Sequence, residues 1–235
     1  MRPIPRSTSI PVALLAFVMG CPLATAQTVV IPNTDRGWYG ETGFHNPGNP
    51  NYVVGDSRGV LPGLNSDSRN FFVFDLSSVT QPIASATLAL SVPSFLAGPG
   101  YSSGDANENY ELHDVVTPIA TLVGGTGGVA AHSDLGGGVV YGNRTMTAAD
   151  MGAVVEIPLN AAAISALDTA SGLIGIGGSL TTLDGLANSE FTFGSSGSVT
   201  DTTELRITLV PEPSSALLCL AGIVGTQLRR KRTAL

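Results

Sequence analysis

The sequence predicts an all-β domain, built as an antiparallel two-sheet sandwich of the jelly-roll kind with one or two short helices. About nine or ten short runs rich in β-branched and aromatic residues follow one another along the chain. Turn residues, drawn from its 29 glycines and 15 prolines, separate these runs. The runs do not alternate with helical segments, as the strands of a parallel sheet would. Two antiparallel layers are therefore the architecture that the pattern indicates.

Four strands are expected in the N-terminal half of the domain. The run over residues 83–92 is the clearest, because Ala84, Ala86, Leu88, Leu90 and Val92 alternate with smaller or polar residues and are expected to share one face. A period of two is typical of a strand with one buried face. Glycines, prolines and asparagines between residues 33 and 50 predict loops in that region. The four strands are expected at residues 28–32, 52–55, 70–76 and 83–92.

The C-terminal half of the domain combines strands with two short helical segments. Thr147 is expected to cap a single helical turn, and Asn160 to cap a helix over residues 161–170 that ends before Gly172. Glycine runs at residues 124–128 and 136–138 predict loops or excursions at a strand edge. The strands are expected at residues 110–115, 121–123, 153–159, 173–176, 190–194 and 204–210.

Residues 1–26 have the features of a secretory signal peptide. They contain, in order, a basic end, an apolar run and a small-residue site: Arg2 and Arg6, residues 10–19, and residues 24–26. Signal peptidase requires this order, so cleavage is expected between Ala26 and Gln27. A buried N-terminal helix fits the order poorly. A lipoprotein signal at Gly20-Cys21 stays open as an alternative.

The domain between the two terminal segments, residues 27–209, is strongly acidic. The whole chain has a formal net charge of −7, but between Gln27 and Val210 it has five arginines, no lysine and seventeen acidic residues, a formal charge of −12. Such a surface repels phosphate groups, which argues against nucleic acid and anionic lipid as partners. Both cysteines, Cys21 and Cys219, lie outside the domain. Burial and backbone pairing, without an internal disulfide, are therefore expected to stabilise it.

The C-terminal segment, residues 210–235, has three parts. It begins with a Pro-Glu-Pro motif, continues with an apolar run and ends in a basic cluster: Pro211, Glu212 and Pro213, residues 216–228, and Arg229, Arg230, Lys231 and Arg232. A transmembrane helix is expected over residues 214–228, with the basic cluster on the cytoplasmic side and the domain outside. The apolar run is only about 20 Å long as a helix, against roughly 30 Å for a bilayer core. The helix is therefore expected to hold the protein in the membrane transiently.

This segment resembles the sorting signal of PEP-CTERM proteins. The resemblance rests on Pro211, Glu212, Pro213 and the basic residues 229–232. It implies recognition by an exosortase, a membrane-embedded cysteine protease-like enzyme. The implied outcome is removal of the tail and transfer of the domain to the cell surface or an extracellular polymer. A plain C-terminal anchor with incidental prolines is the alternative.

The domain itself resembles two groups of extracellular sandwich modules. Residues 69–92 contain Phe-Asp-Leu-Ser-Ser followed by Ser-Ala-Thr-Leu, and they are similar to a strand pair of DNRLRE-type modules. Residues 110–115, 157–160 and 174–178 are similar to segments of an uncharacterised secreted sandwich found in many PEP-CTERM proteins. Both resemblances imply the sandwich fold, and neither implies an activity.

Three aromatic residues are candidates for stacking on a sugar ring: Trp38, Tyr39 and Tyr101. Flat aromatic faces present a large apolar area to a pyranose ring. For the Trp38-Tyr39 pair, the alternative is an aromatic plug that closes one end of the sandwich.

One motif has the form of a nucleophile elbow, residues 55–59, with Ser57 in the place of the nucleophile. An elbow needs a helix directly after the serine, and the Val-Leu-Pro-Gly sequence at residues 60–63 is a poor helix start. The histidines are scattered, without the spacing of a shared metal site: His45, His113 and His132. His113 is expected to face solvent from a strand. No catalytic residue is therefore expected, and a serine hydrolase using Ser57 is a remote alternative.

Residues 105–109, Asp-Ala-Asn-Glu-Asn, begin like an oxygen-rich calcium loop. The match to an EF-hand ends there, because Tyr110 stands where the loop needs glycine and Val116 where it needs glutamate. No cofactor is therefore expected, and structural calcium held by loop carboxylates stays open. A carboxylate pair for glycoside hydrolysis cannot be recognised at this level, because its separation is a three-dimensional quantity.

Together these features predict a non-enzymatic exported protein of the cell envelope, cell surface or extracellular polysaccharide matrix. Its expected partners are signal peptidase, an exosortase, extracellular polysaccharide and, transiently, the inner membrane. A carbohydrate-binding module of the matrix is the alternative function.

Overall fold

Strands make up most of the regular structure, as the sequence predicts. The computed structural model describes residues 26–57, 67–94, 99–185, 189–198 and 200–211. Within these residues, eleven strands join in one curled antiparallel sheet. They are β1 (Thr28–Gly40), β2 (Val54–Asp56), β3 (Asp67–Asp75), β4 (Ile83–Ser91), β5 (Tyr101–Ser102), β6 (Glu108–Asp114), β7 (Val140–Met146), β8 (Val154–Pro158), β9 (Leu173–Leu180), β10 (Glu190–Thr192) and β11 (Thr203–Leu209).

The long strand β1 connects the two halves of the sheet. Its first half pairs with β11 and its second half with β3, and a register shift between Asn33 and Asp35 separates the two ladders. Beyond β11 the order continues through β4 to β8. Beyond β3 it continues through β9 and β6 to β7. At the start of β3, the short strands β2, β10 and β5 form a narrow strip.

The principal core draws side chains from both halves of the sheet. Phe72 and Phe74 of β3 are fully buried in it, together with Leu88 and Leu90 of β4. The two leucines belong to the alternating run that predicts a half-buried strand, and that prediction is confirmed. Burial on this scale contributes about 25 cal/mol per Å² of apolar surface. It is the main source of stability in a domain without a disulfide.

Three short helices accompany the sheet: α1 (Ile119–Val123), α2 (Gly128–Asp134) and α3 (Ala161–Thr169). Residues of α1 and α2 pack on the opposite face of β3, where Leu122 and Ala131 share a second core with Phe71 and Val73. The predicted strand at residues 121–123 is therefore wrong. Pro118 precedes a helical turn there, and this turn directs Leu122 onto the sheet.

The helix signals in the second half of the domain are confirmed. The side-chain oxygen of Asn160 accepts a hydrogen bond of 3.1 Å from the amide of Ala163 and caps α3. Thr147 and Asp150 form a capping box around a single 3₁₀ turn, Ala148–Asp150. Both signals are local in sequence, which is why the residues alone could predict them.

Several strands extend beyond the prediction or were not predicted. β1 continues through Trp38 and Tyr39, where the sequence predicts loops, and the prediction has no counterpart for β5 or β7. Gly37 explains part of the difference, because a Cβ atom at this position would lie 2.7 Å from the His45 ring and 2.9 Å from the Phe71 ring. The glycine therefore lets two rings pack against the strand instead of breaking it.

All of these elements belong to one compact unit, Ala26–Val210. No helix in the described part of the chain is long and apolar enough to span a membrane. The expected membrane helix over residues 214–228 lies outside the described residues, as do residues 1–25 of the expected signal peptide.

Candidate functional site

Three acidic side chains converge where the strip of β2, β10 and β5 meets β6. We call them the acidic cluster: Asp105, Glu108 and Glu190. Their carboxylate oxygens lie within 4.8 Å of one another. Asp105 is exposed in the turn between β5 and β6, whereas Glu108 and Glu190, the first residues of β6 and β10, are 0% and 2% exposed. The acidic cluster thus combines two buried glutamates with one exposed aspartate.

Neutral donors contact the two buried glutamates. Ser103 donates a hydrogen bond of 2.5 Å to one carboxylate oxygen of Glu108, and the Thr182 hydroxyl donates to the other. The backbone amide of Asp184 donates a hydrogen bond of 3.2 Å to Glu190. Each of these donors satisfies a lone pair without adding a full positive charge.

The electrostatics of the acidic cluster follow from burial and like charge. Burial is the main reason that the pKa of Glu190 is raised; a hydrogen bond with the side chain of Asp184 and the charges of Asp184 and Glu108 raise it further, while the Asp184 amide lowers it. Burial also raises the pKa of the Tyr101 hydroxyl, Ser103 lowers it, and the charges of Glu108 and Asp105 raise it. The cluster therefore resists holding all its negative charge without a compensating cation or proton.

The ligands that the cluster offers are carboxylate and hydroxyl oxygens. Such a set suits a hard cation, whereas zinc prefers imidazole and thiolate. Sequence reasoning reached part of the site through the acidic loop at residues 105–109. It missed Glu190, because only the pairing of β10 with β5 brings this distant residue to the loop.

The three candidate stacking residues lie in the interior of the domain. Trp38, Tyr39 and Tyr101 are 4%, 0% and 7% exposed. The Tyr39 hydroxyl donates a hydrogen bond of 2.7 Å to the carbonyl of Leu122, and the His45 ring stacks on the Tyr39 ring with 4.7 Å between centroids. None of the three rings presents a free face to a sugar, and the packing of Trp38 and Tyr39 fits the aromatic-plug alternative.

Ser57 is fully buried, and its Oγ atom has no hydrogen-bond partner among the described residues. None of the contacts found for the three histidines is with Ser57. His45 Nδ1 lies 2.8 Å from the carbonyl of Trp38, and His132 Nε2 lies 3.2 Å from the carbonyl of Asp67. The segment after Ser57, where an elbow would need its helix, lies outside the described residues. The described residues thus supply no general base at Ser57.

His113 is buried, and the prediction that it faces solvent is wrong. Its Nε2 atom lies 3.3 Å from Ser179 Oγ and 3.7 Å from a carboxylate oxygen of Glu111. Burial is the main reason that the pKa of His113 is lowered, and Arg69 lowers it too; Glu111 and Asp114 raise it. A catalytic triad needs the serine and the acid on different ring nitrogens. Here both approach Nε2, so the group lacks that geometry.

A second polar cluster lies beside α2, and we call it the Arg69 cluster: Asp67, Arg69 and His132. One Asp67 carboxylate oxygen lies 3.5 Å from Arg69 Nε and 3.5 Å from His132 Nε2. The Arg69 guanidinium also donates hydrogen bonds of 3.1 and 3.2 Å to the carbonyls of His132 and Ser133 at the end of α2. The Arg69 cluster therefore contains a positive charge that compensates Asp67, and its hydrogen bonds link α2 to β3.

The expected processing sites lie at the ends of the described chain. Ala26 and Gln27 are exposed at the N-terminal end. Of the expected sorting residues, Pro211 is described, while Glu212, Pro213 and residues 229–232 lie outside the described residues. A search with protein-family models found no matching family, and no curated protein that was compared with the chain is significantly similar to it.

Proposed function

We propose that this chain is a non-enzymatic exported surface protein, delivered to the cell envelope or the extracellular polysaccharide matrix by its C-terminal segment. The observation that carries the proposal is the order of features after the last strand: Pro211-Glu212-Pro213, an apolar run and four basic residues. The compact unit Ala26–Val210 ends directly before this motif. An exosortase would then cut near the motif and release the whole domain.

We further infer that the curled sheet closes as a two-sheet sandwich of the jelly-roll type. Strand β1 supports this inference, because it pairs with β11 along its first half and with β3 along its second half. A strand shared in this way lets two layers face each other across the core that contains Phe72 and Leu88. A closed apolar core suits a protein that must persist outside the cell without a disulfide.

The route to the surface follows from the two termini. Signal peptidase would cut between Ala26 and Gln27 after export across the inner membrane. The helix over residues 214–228 would then hold the protein in that membrane, with the basic residues 229–232 inside. Sorting ends this stage when the exosortase removes the tail. The acidic charge of the domain argues against nucleic acid at every step.

The experiment that tests this proposal is mass spectrometry of the mature protein. The full chain is expressed in a host with an exosortase and in the same host without it. We expect the surface-associated protein to begin at Gln27 and to end near Pro211 only where the exosortase is present. A protein that still ends at Leu235 in both hosts would contradict the proposal. A matched variant, Glu212→Gln, tests the motif without changing the apolar run or the basic tail.

The competing function, a carbohydrate-binding module, has one observation in its favour. An open groove of about 620 Å³ is lined by polar side chains and prolines: Pro32, Asn33, Asp35, Arg36, Pro47, Pro50, Asp201 and Glu204. Polar groups of this kind can hydrogen-bond sugar hydroxyls. A glycan array with the full-length protein separates the two functions. Specific binding that Asp35→Asn removes would make sugar recognition the function, and an array without a signal would leave the structural proposal in place.

A further inference from the structure

The acidic cluster supports an inference that is independent of the C-terminal segment. Glu108 and Glu190 are among the most buried polar residues of the domain, and they lie within reach of each other and of Asp105. Taking an ionised carboxylate out of water is energetically costly unless a positive charge compensates for it. Three carboxylates at one point increase this cost, because each repels the other two. A bound cation would offset both effects.

Two buried hydroxyls on the adjoining strands β5 and β10 are a second, independent observation. The hydroxyls of Tyr101 and Thr192 are buried and have no hydrogen-bond partner among the described residues. Thr192 lies directly opposite Tyr101 in the β5–β10 ladder, and it projects from the same face of β10 as Glu190. Tyr101 also stands two residues before Ser103, whose hydroxyl donates a hydrogen bond to Glu108.

Buried hydroxyls without a partner are uncommon, because each loses the hydrogen bonds that it made to water. An oxygen atom that coordinates a metal ion is satisfied by that ion. The Tyr101 hydroxyl is therefore explained by the same ligand that would compensate the carboxylates. The Ser103 hydroxyl lies beside it; it donates a hydrogen bond to Glu108 and accepts one of 2.8 Å from the amide of Asp105.

We propose that the acidic cluster binds one Ca²⁺ ion, with Asp105, Glu108 and Glu190 as carboxylate ligands and the Tyr101 hydroxyl as an additional oxygen ligand. The ion would connect β10 to the turn between β5 and β6. These elements are far apart in sequence, and the ladder that joins β10 to β5 has only two residue pairs. Calcium would thus stabilise the narrowest part of the sheet.

The coordination shell that the cluster offers favours calcium over magnesium. The carboxylate oxygens lie within 4.8 Å of one another, so a point between the three is no more than about 2.8 Å from each, and one cation can contact all of them. Mg²⁺ requires a near-ideal octahedral shell. Calcium accepts irregular shells of six to eight oxygens, so water can complete the coordination on the exposed side of Asp105.

Thermal unfolding of the full-length protein, in excess EDTA and in millimolar CaCl₂, tests this proposal. We expect calcium to raise the Tm by about 3 °C or more when it is added at ten times its Kd. Equal concentrations of MgCl₂ should raise it less. Calorimetric titration with CaCl₂ should give one site per chain. No shift and no heat of binding would overturn the proposal, and an equal response to magnesium would overturn the assignment of the ion.

Two isosteric variants locate the site. Glu108→Gln and Glu190→Gln should each abolish the calcium response, and each should raise the Tm in EDTA because it removes a repelling buried charge. A gain in EDTA also shows that the variant is folded. Glu156→Gln is the matched control, since its side chain is 57% exposed and pairs with Arg206. A calcium response that persists in both cluster variants, or disappears in the control, would contradict the proposed site.

Discussion

Two clusters of buried or half-buried acidic side chains lie on the same sheet, and their carboxylates have different partners. In the Arg69 cluster, Asp67 lies 3.5 Å from both an arginine and a histidine nitrogen. In the acidic cluster, the hydrogen bonds to Glu108 come from the hydroxyls of Ser103 and Thr182. The chain therefore supplies a positive counter-charge to Asp67, whereas the side-chain donors that contact Glu108 are neutral hydroxyls.

The two clusters should therefore respond differently to calcium. An arginine is permanently charged, so the Arg69 cluster should be indifferent to calcium. Burial raises the pKa of Glu190, so the stability that the acidic cluster contributes should depend on pH as well as on bound cations. Four experiments test this contrast.

The largest effect is expected from Arg69→Met. This change leaves Asp67 without its guanidinium partner and removes two hydrogen bonds to the end of α2. We expect a loss of about 2–3 kcal/mol, below the range for fully buried pairs because both side chains are about a quarter exposed. Urea unfolding measures the loss, which should be equal in calcium and in EDTA. Arg206→Met is the control: Arg206 is 35% exposed and pairs with both Glu156 and Glu204, and its loss should cost less than about 1 kcal/mol.

The pH dependence of stability should distinguish the acidic cluster by its sign. The pKa of Glu190 is raised above its ordinary value of 4.5, so the folded state binds more protons than the unfolded state in that window. The free energy of unfolding in EDTA should therefore fall as the pH rises from below 4.5 through the raised pKa. Measuring the Tm against pH for the wild type and for Glu190→Gln isolates the contribution of Glu190 to this pH dependence. Calcium should reduce the slope of Tm against pH in the wild type. Identical slopes in the wild type and in Glu190→Gln would contradict the raised pKa of Glu190.

A third carboxylate, Asp150, extends the comparison toward the surface. It lies 2.8 Å from Arg144 and also accepts a hydrogen bond of 2.8 Å from the amide of Thr147. Although burial raises the pKa of Asp150, the hydrogen bonds and charge of Arg144 and the Thr147 amide lower it below 3.8 overall. Its contribution should therefore be present above pH 3.8 and be lost as the pH falls through the lowered pKa, opposite to Glu190.

Substitution measures the size of this third contribution. Asp150→Asn removes the ion pair and weakens the capping box, and we expect a loss of about 1 kcal/mol at neutral pH that calcium does not change. Urea unfolding at neutral and at acidic pH is the measurement. A loss that persists unchanged at low pH would show that charge is not the cause.

The smallest effect is expected from Tyr101→Phe, which removes only a hydroxyl without a hydrogen-bond partner. In EDTA the free energy of unfolding should change by less than about 0.5 kcal/mol, because no bond is broken. In calorimetric titration the affinity for calcium should fall by about two- to fivefold, which corresponds to the loss of one neutral ligand. An unchanged affinity would exclude Tyr101 from the calcium shell while leaving the carboxylate ligands to their own test.

Local patterns predicted the parts of the fold that depend on neighbouring residues. The alternation around Leu88 predicts β4, and Asn160 predicts the start of α3. Both are predictable because a strand face and a helix cap each depend on only a few adjacent residues. The same method failed at residues 121–123. There the short apolar run fits a strand or a helix equally well, and packing against Phe71 and Val73 of the sheet decides for the helix.

The candidate site was only half predictable for the same reason. The acidic loop that contains Asp105 and Glu108 was visible as an oxygen-rich segment, but its local pattern fits no calcium loop. Tyr101 was assigned to sugar stacking, because aromatic composition carries no information on burial. The pairing of β5 with β10 places this residue in the interior and brings Glu190 to the loop.

Composition, alternation and capping are short-range properties of the chain, so the amino-acid sequence predicts the β character of the domain, its acidic charge and its helix caps. Which charged side chains meet depends on how distant strands pair. Asp67 lies beside an arginine because β3 carries both residues beneath α2, whereas Glu108 and Glu190 begin two strands that distant parts of the chain bring together. Pairing between distant strands brings these side chains together, so no local sequence pattern can predict that they are neighbours.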